Sequence, residues 1–165
     1  MRLVKGATVG LIERSFQQRD EVAVIVFRGT SAEVALEPTH DKQHALDALA
    51  YLPTGGRTPL AHALHLACSY ITPSTVLVLL TDGRANVAHA AGDPWQEALI
   101  AASRIQTAAL VIDTEIAGLG QTFGQARELA QALHAEYLPI NQLETSEDIM
   151  IALAKIQRPA QSFPL

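Results

Sequence analysis

The sequence predicts an α/β fold: a mainly parallel sheet, doubly wound, with helices on both faces. Three observations predict it. Helical and strand periods alternate from end to end of the 165 residues. Two apolar runs, residues 22–27 and 75–80, are near-continuous rather than alternating, as in strands buried on both faces. The second run leads into Thr81-Asp82-Gly83, an acid and a turn former at the carboxyl edge where open α/β sheets hold ligands.

The elements follow in order. Leu3, Val4, Ala7, Leu11, Ile12 and Phe16 recur at helical spacing over residues 2–18. Arg19-Asp20 breaks that helix before the strand at 22–27. Arg28-Gly29-Thr30 turns the chain into a short, weaker edge strand around 33–36. Asp41 can cap a helix holding Ala45, Leu46, Leu49 and Leu52. A glycine turn, Gly55-Gly56, precedes a helix over 59–70 and the strand over 75–80. Asp93-Pro94 opens a helix reaching residue 106, with Pro at its favoured first position. A strand over 108–112, a looser segment over 118–124, a helix over 125–133, a strand over 136–139 and a helix over 146–157 complete the reading.

A chain that is 48% hydrophobic fits one domain with a sizeable core, over residues 1–157, followed by a disordered tail over 158–165. The net charge of −5, with acids and bases interspersed, argues against a nucleic-acid surface. One cysteine, Cys68, excludes an internal disulfide. It is placed with the apolar stripe Leu60, Leu64, Ala67 and Ile71, which predicts a buried, inert thiol. No apolar run approaches the ~20 residues of a membrane span, and no signal-peptide pattern opens the chain. These features predict a soluble, cytoplasmic protein.

Two residues are candidate metal ligands. Asp82 ends its strand at the ligand edge, although Asp-Gly is also a common turn dipeptide. Thr58 stands directly before Pro59, where a helix N-cap is the structural alternative. Oxygen ligands from two loops at one sheet edge suit a hard cation such as Mg²⁺, which keeps several waters. Asp113 ends the next strand on the same edge and can support such a site or cap its own turn. Arg28 and Arg84 follow strands towards that edge and can meet an acidic partner group or remain solvated.

Other patterns carry less. His40 with His44 and His62 with His65 share helix faces, yet no Cys or third His in the pattern completes a zinc set, so surface histidines are expected. Gly118, Gly120 and Gly124 follow the next-to-last strand rather than the first, which argues against a dinucleotide site. No Gly-x-x-x-x-Gly-Lys loop and no Gly-x-Ser-x-Gly elbow is present, so nothing points to ATP hydrolysis or serine catalysis.

The blocks Leu52-Pro53-Thr54-Gly55-Gly56-Arg57-Thr58-Pro59-Leu60 and Leu80-Thr81-Asp82-Gly83-Arg84-Ala85-Asn86 carry a family resemblance. So do Lys5-Gly6-Ala7, residues 19–23, Phe27-Arg28-Gly29 and residues 111–115. The chain resembles the von Willebrand factor A-type domain, and most closely the C-terminal domain of magnesium chelatase D-type subunits. The resemblance implies a metal-ion-dependent adhesion site made from an Asp-x-Ser-x-Ser loop, a threonine and an aspartate, the last two matching Thr58 and Asp82. The first strand and the Asp-x-Ser-x-Ser loop of that family are missing ahead of the opening helix, which implies weak or absent Mg²⁺ binding and an incomplete domain. In the family that strand lies between the strands here at 22–27 and 75–80.

The implied function is a cation-dependent, non-catalytic interaction domain in a complex that inserts Mg²⁺ into protoporphyrin IX using ATP, for chlorophyll or bacteriochlorophyll synthesis. Its implied partners are an AAA+ ATPase subunit and the porphyrin-binding subunit, in the cytoplasm or, for a plant or alga, the plastid stroma. The alternatives are a stand-alone adaptor for another AAA+ motor, such as a cobalt chelatase, and a small α/β enzyme using Asp82 and Asp113 as acid and base.

Overall fold

The computed structural model describes residues 2–50, 56–115, 124–143 and 145–156. Helix α1 (Arg2–Gln17) ends where Arg19 takes a left-handed φ of 64°. The amides of Arg19 and Asp20 close back on the carbonyls of Phe16 and Ser15 at 3.1 and 3.0 Å, as a helix C-terminus requires. Strand β1 (Val22–Arg28) then turns through Gly29, at φ 65°, into β2 (Ser31–Thr39), which pairs with it antiparallel from Arg28↔Ser31 to Val22↔Thr39. The edge strand is thus longer than the four residues its apolar pattern predicts. The two-residue turn starts the pairing at once, and ladder bonds carry polar positions that have no apolar signature.

Asp41 caps α2 (Lys42–Ala50), accepting the His44 amide at 3.0 Å, and Asp93 caps α4 (Pro94–Ser103), accepting the Gln96 amide at 2.9 Å. Between them lie α3 (Leu60–Cys68) and β3 (Val76–Thr81). Strand β4 (Ala108–Asp113), α5 (Gln125–Ala132), β5 (Glu136–Pro139), a 3₁₀ turn (Ile140–Gln142) and α6 (Ser146–Ile156) follow. The predicted disordered tail, 158–165, falls outside the described residues, as do Gly118 and Gly120.

The strands hydrogen-bond as two sheets. Strands β3, β4 and β5 form a parallel sheet in that order, and β1 with β2 forms the antiparallel pair. Among the described residues β1 and β3 share no ladder, so each has one strand partner. Their burial reflects this. Five of the six β4 residues are buried, against two of six in β3 and none in β1. The apolar runs of β1 and β3 carry the composition of central strands but only the exposure of edge strands.

Helices cover both faces of the parallel sheet, as predicted. On one face Leu79 and Val111 meet Leu60 and Leu64 of α3, Ala98 and Ala102 of α4, and Leu129 of α5. On the other, Leu110 and Ile112 meet Ile149 and Leu153 of α6, with Leu11 of α1 packed alongside. A third cluster joins Ile12 of α1 to Leu36 of β2 and to Ala45 and Leu49 of α2. Cys68 departs from expectation: its thiol is exposed. Leu60, Leu64 and Ala67 fill the buried stripe at helical spacing, and Cys68, one residue past Ala67, is rotated about 100° from it at the helix end.

Gly83 carries a constraint on the ligand edge. It sits at φ 78°, and a Cβ there would lie 2.6 Å from the Ala126 amide nitrogen at the start of α5. The turn after β3 therefore packs backbone to backbone against α5. Gly83→Ala combines left-handed strain with that clash and should destabilise the fold by about 3 kcal/mol. Gly29→Ala, with φ 65° but nothing within 4 Å of its Cβ, should cost about 1–2 kcal/mol. Urea unfolding of both variants measures the difference, and equal losses would contradict the close packing at Gly83.

Candidate functional site at the carboxyl edge of the parallel sheet

The β3–β4 ladder ends in the pair Thr81↔Asp113, so the strand register delivers both loops to one edge. Thr81 is buried, and its hydroxyl accepts the Gly83 amide at 3.0 Å while its carbonyl accepts the Thr114 amide at 2.9 Å. Thr81 thereby closes the root of the turn, and the half-buried carboxylate of Asp82 stays at the surface. Oδ1 of Asp82 accepts the Arg84 amide at 3.1 Å, and Oδ2 lies 3.5 Å from Nε of the exposed Arg84. Each oxygen retains a lone-pair direction for a further partner.

Thr58 is joined to this loop through its backbone. Its amide donates to Oδ1 of Asn86 at 2.7 Å, and its carbonyl accepts the Asn86 amide at 3.2 Å. Asn86, four residues after Asp82, thus stitches the two loops that carry the candidate ligands. The N-cap alternative for Thr58 does not describe this helix: α3 is preceded by Pro59, with no side-chain cap. Among the described residues the Thr58 hydroxyl makes no hydrogen bond.

Asp113 and the two arginines are placed differently. Asp113 is only 6% exposed, and both carboxylate oxygens are engaged. Oδ1 accepts the Glu115 amide at 2.9 Å, and Oδ2 accepts the Tyr137 hydroxyl at 2.5 Å, tying the ends of β4 and β5 together. Burial, and then the bond to Asp113, push the Tyr137 phenol up to about 12, against a smaller opposing pull from the Arg127 guanidinium 4.3 Å above its ring. Arg28 is exposed at the end of β1, where it lines a cleft of about 370 Å³ with Gly29, Ser31, Glu33 and Gly56. Arg28 therefore neighbours the glycine turn leading to Thr58, and Arg84 pairs with Asp82 itself.

Three residues at this edge escaped the sequence reading. Asn86 lay in a motif block but had no assigned role. Glu97 of α4 accepts the amides of His89, Ala90 and Gly92, the last two at 3.0 and 2.8 Å, and these bonds hold its carboxyl below the usual range. His89 brings the third histidine that the His62/His65 spacing lacked: its ring lies 4.8 Å from that of His62 and 4.5 Å from that of His65. A helical spacing cannot reveal a partner on a loop 24 residues later. Among the described residues, no three His, Cys, Asp or Glu side chains are arranged to hold a metal ion. Gly124, the described member of the glycine run, stands before α5 at φ 64°. No described helix is long and apolar enough to cross a membrane.

Residues 1–84, just over half of the chain, match the family described as von Willebrand factor type A domain. The magnesium-chelatase 67 kDa subunit of Chlorobaculum parvum is 34% identical over 93% of this chain. This chain spans 28% of that relative's length. An uncharacterized protein of Methanocaldococcus jannaschii is 29% identical over 94% of this chain and 93% of its own. Among solved structures, the conserved hypothetical protein BatB of Bacteroides thetaiotaomicron superimposes with a TM-score of 0.62 at 22% identity, covering 94% of this chain and 88% of that one.

The Asp113–Tyr137 contact has a pH signature. The folded chain holds the Tyr137 proton to about 12, whereas an unfolded tyrosine loses it near 10. The contact's stabilisation is therefore present below about pH 10 and lost as the pH rises through about 12. Absorbance titration at 295 nm should show a late-ionising tyrosine that disappears in Tyr137→Phe and ionises earlier in Asp113→Asn. An unchanged titration in Asp113→Asn would remove the carboxylate from the account.

Proposed function

Because the chain belongs to the von Willebrand factor type A domain family, we propose that it acts as the cation-dependent interaction domain of a magnesium chelatase D-type subunit. The observation that carries the interaction role is the pair of hydrogen bonds by which Asn86 holds the Thr58 turn against the Asp82 loop. In this reading those bonds to the Thr58 backbone would bring two hard oxygen donors, the Thr58 hydroxyl and the Asp82 carboxylate, to one edge of the sheet. The similarity to the 67 kDa chelatase subunit supports the choice of complex.

Thr58 and Asp82 suit Mg²⁺ chemically but supply only two of about six positions in its octahedron. When bound, the cation would offer an open position to a carboxylate of the partner. Asp82 would support the charge, and Arg84 would move between Asp82 and the partner's acidic group. The partners in this reading are an AAA+ ATPase subunit and the porphyrin-binding subunit of the complex that inserts Mg²⁺ into protoporphyrin IX. In this reading the domain itself is non-catalytic. A second reading, a stand-alone adaptor for another AAA+ motor such as a cobalt chelatase, is favoured by the Methanocaldococcus jannaschii relative, which aligns over nearly its whole length.

Two measurements test the proposal. Calorimetry of this chain with Mg²⁺ or Mn²⁺ should give at most weak, millimolar-range binding, since two ligands hold the ion without the rest of its shell. Sub-millimolar affinity would require ligands other than those named. In a chain carrying an Asp-x-Ser-x-Ser strand ahead of α1, pull-down of the AAA+ partner should need Mg²⁺ or Mn²⁺ and be lost in Asp82→Ala, which removes the counter-charge for the cation. Undiminished capture by Asp82→Ala in EDTA would sink the adhesion-site mechanism.

A further inference from the structure

The loop from Asp82 to Gly92 is held at three places, and the middle one is built from titratable groups. Near its start, Asn86 bonds the Thr58 backbone. At its far end, Glu97 takes three loop amides. Between them the His89 ring lies against the rings of His62 and His65, tilted 46° and 31° from them. His62 and His65 sit three residues apart on α3, so both face the loop. His62 also uses Nδ1 to accept the Ala32 amide of the β1–β2 hairpin at 3.3 Å. That bond exists only while Nδ1 carries no proton, because an imidazolium has two donors and no acceptor.

We propose that His62, His65 and His89 form a proton-operated clasp, which fixes the Asp82 loop and the β1–β2 hairpin to α3 when neutral and releases both on protonation. With the His89 ring 4.8 Å from that of His62 and 4.5 Å from that of His65, a charge on His89 is tolerated poorly once either neighbour is charged. The groups facing His65 set the direction. Burial first, and then His89, Arg104 at the end of α4, and His62, favour its neutral form, while Glu97 alone opposes them. His62 meets the Ala32 amide from the hairpin, and His89 presents its backbone amide to Glu97. A base held neutral in the folded state adds stability above its unfolded value near 6.5 and loses it as the pH falls below that value. Glu97 remains ionised throughout this window, since its own carboxyl is held low. The far anchor therefore survives while the clasp opens.

Nothing here depends on chelatase partnership or on a bound cation, so the test can fail without touching either. Amide hydrogen exchange of the full chain, corrected for intrinsic rates, is compared at about pH 7.5 and about pH 5.5. The Ala32 and Asn86 amides should lose at least about tenfold protection at the lower pH, while Ala90, Gly92 and the β4 amides keep theirs. His65→Phe/His89→Phe, with rings that cannot charge, should lose less than about threefold at Asn86. His89→Ala, at an exposed position, should already give low Asn86 protection at the higher pH. Wild-type protection independent of pH, or an equal loss in the double Phe variant, would overturn the clasp. Added zinc that protects these amides at the higher pH, and fails to in His89→Phe, would also overturn it by making the cluster a metal site.

Discussion

Two helices hold together two sheets that, among the described residues, share no ladder, and the rest of the structure depends on that bridging. On one face, α3 buries Leu60 and Leu64 completely or nearly so in a cluster that takes Phe27 from β1 and Leu79 and Val111 from the parallel sheet. On the other, α1 places Leu11 against the α6 cluster and Ile12 against α2 and β2. Burial of each such side chain contributes about 2 kcal/mol. Packing therefore does between β1 and β3 what backbone hydrogen bonds do between β3 and β4. Packing is non-directional, so it holds the sheets together without imposing a strand register between them.

That arrangement places α3 at the centre of the chemistry as well as of the core. Its start receives Thr58, its half-buried face carries His62 and His65, and its buried face fixes the distance to the parallel sheet. The loop after β3 lies across it, closed at its root by the Thr81 hydroxyl and pressed against α5 through Gly83. The division of labour between two acids follows from the same geometry. Asp113, deep at the end of the doubly paired β4, spends both oxygens on Glu115 and Tyr137. Asp82, one strand nearer the open side, keeps a half-buried carboxylate that, among the described residues, bonds and pairs with Arg84 alone. A burial difference between adjacent strand ends has separated a structural carboxylate from an available one.

The amino-acid sequence by itself determined the elements and their order, because periodicity, caps and turn residues act over a few neighbouring positions. Asp41 and Asp93 cap the helices they precede, Arg19 ends α1, and the apolar runs became β1, β3 and β4. It also singled out Thr58 and Asp82 as candidate ligands, since their motif blocks are local. The tertiary structure alone decided three things. It split the strands into two sheets, because ladder formation depends on which edges meet and not on how apolar a run is. It exposed Cys68, because a rotation of one residue at a helix end separates stripe from surface. It joined Asn86 to Thr58 and His89 to His62 and His65, contacts between residues 24 to 28 positions apart that no local pattern encodes.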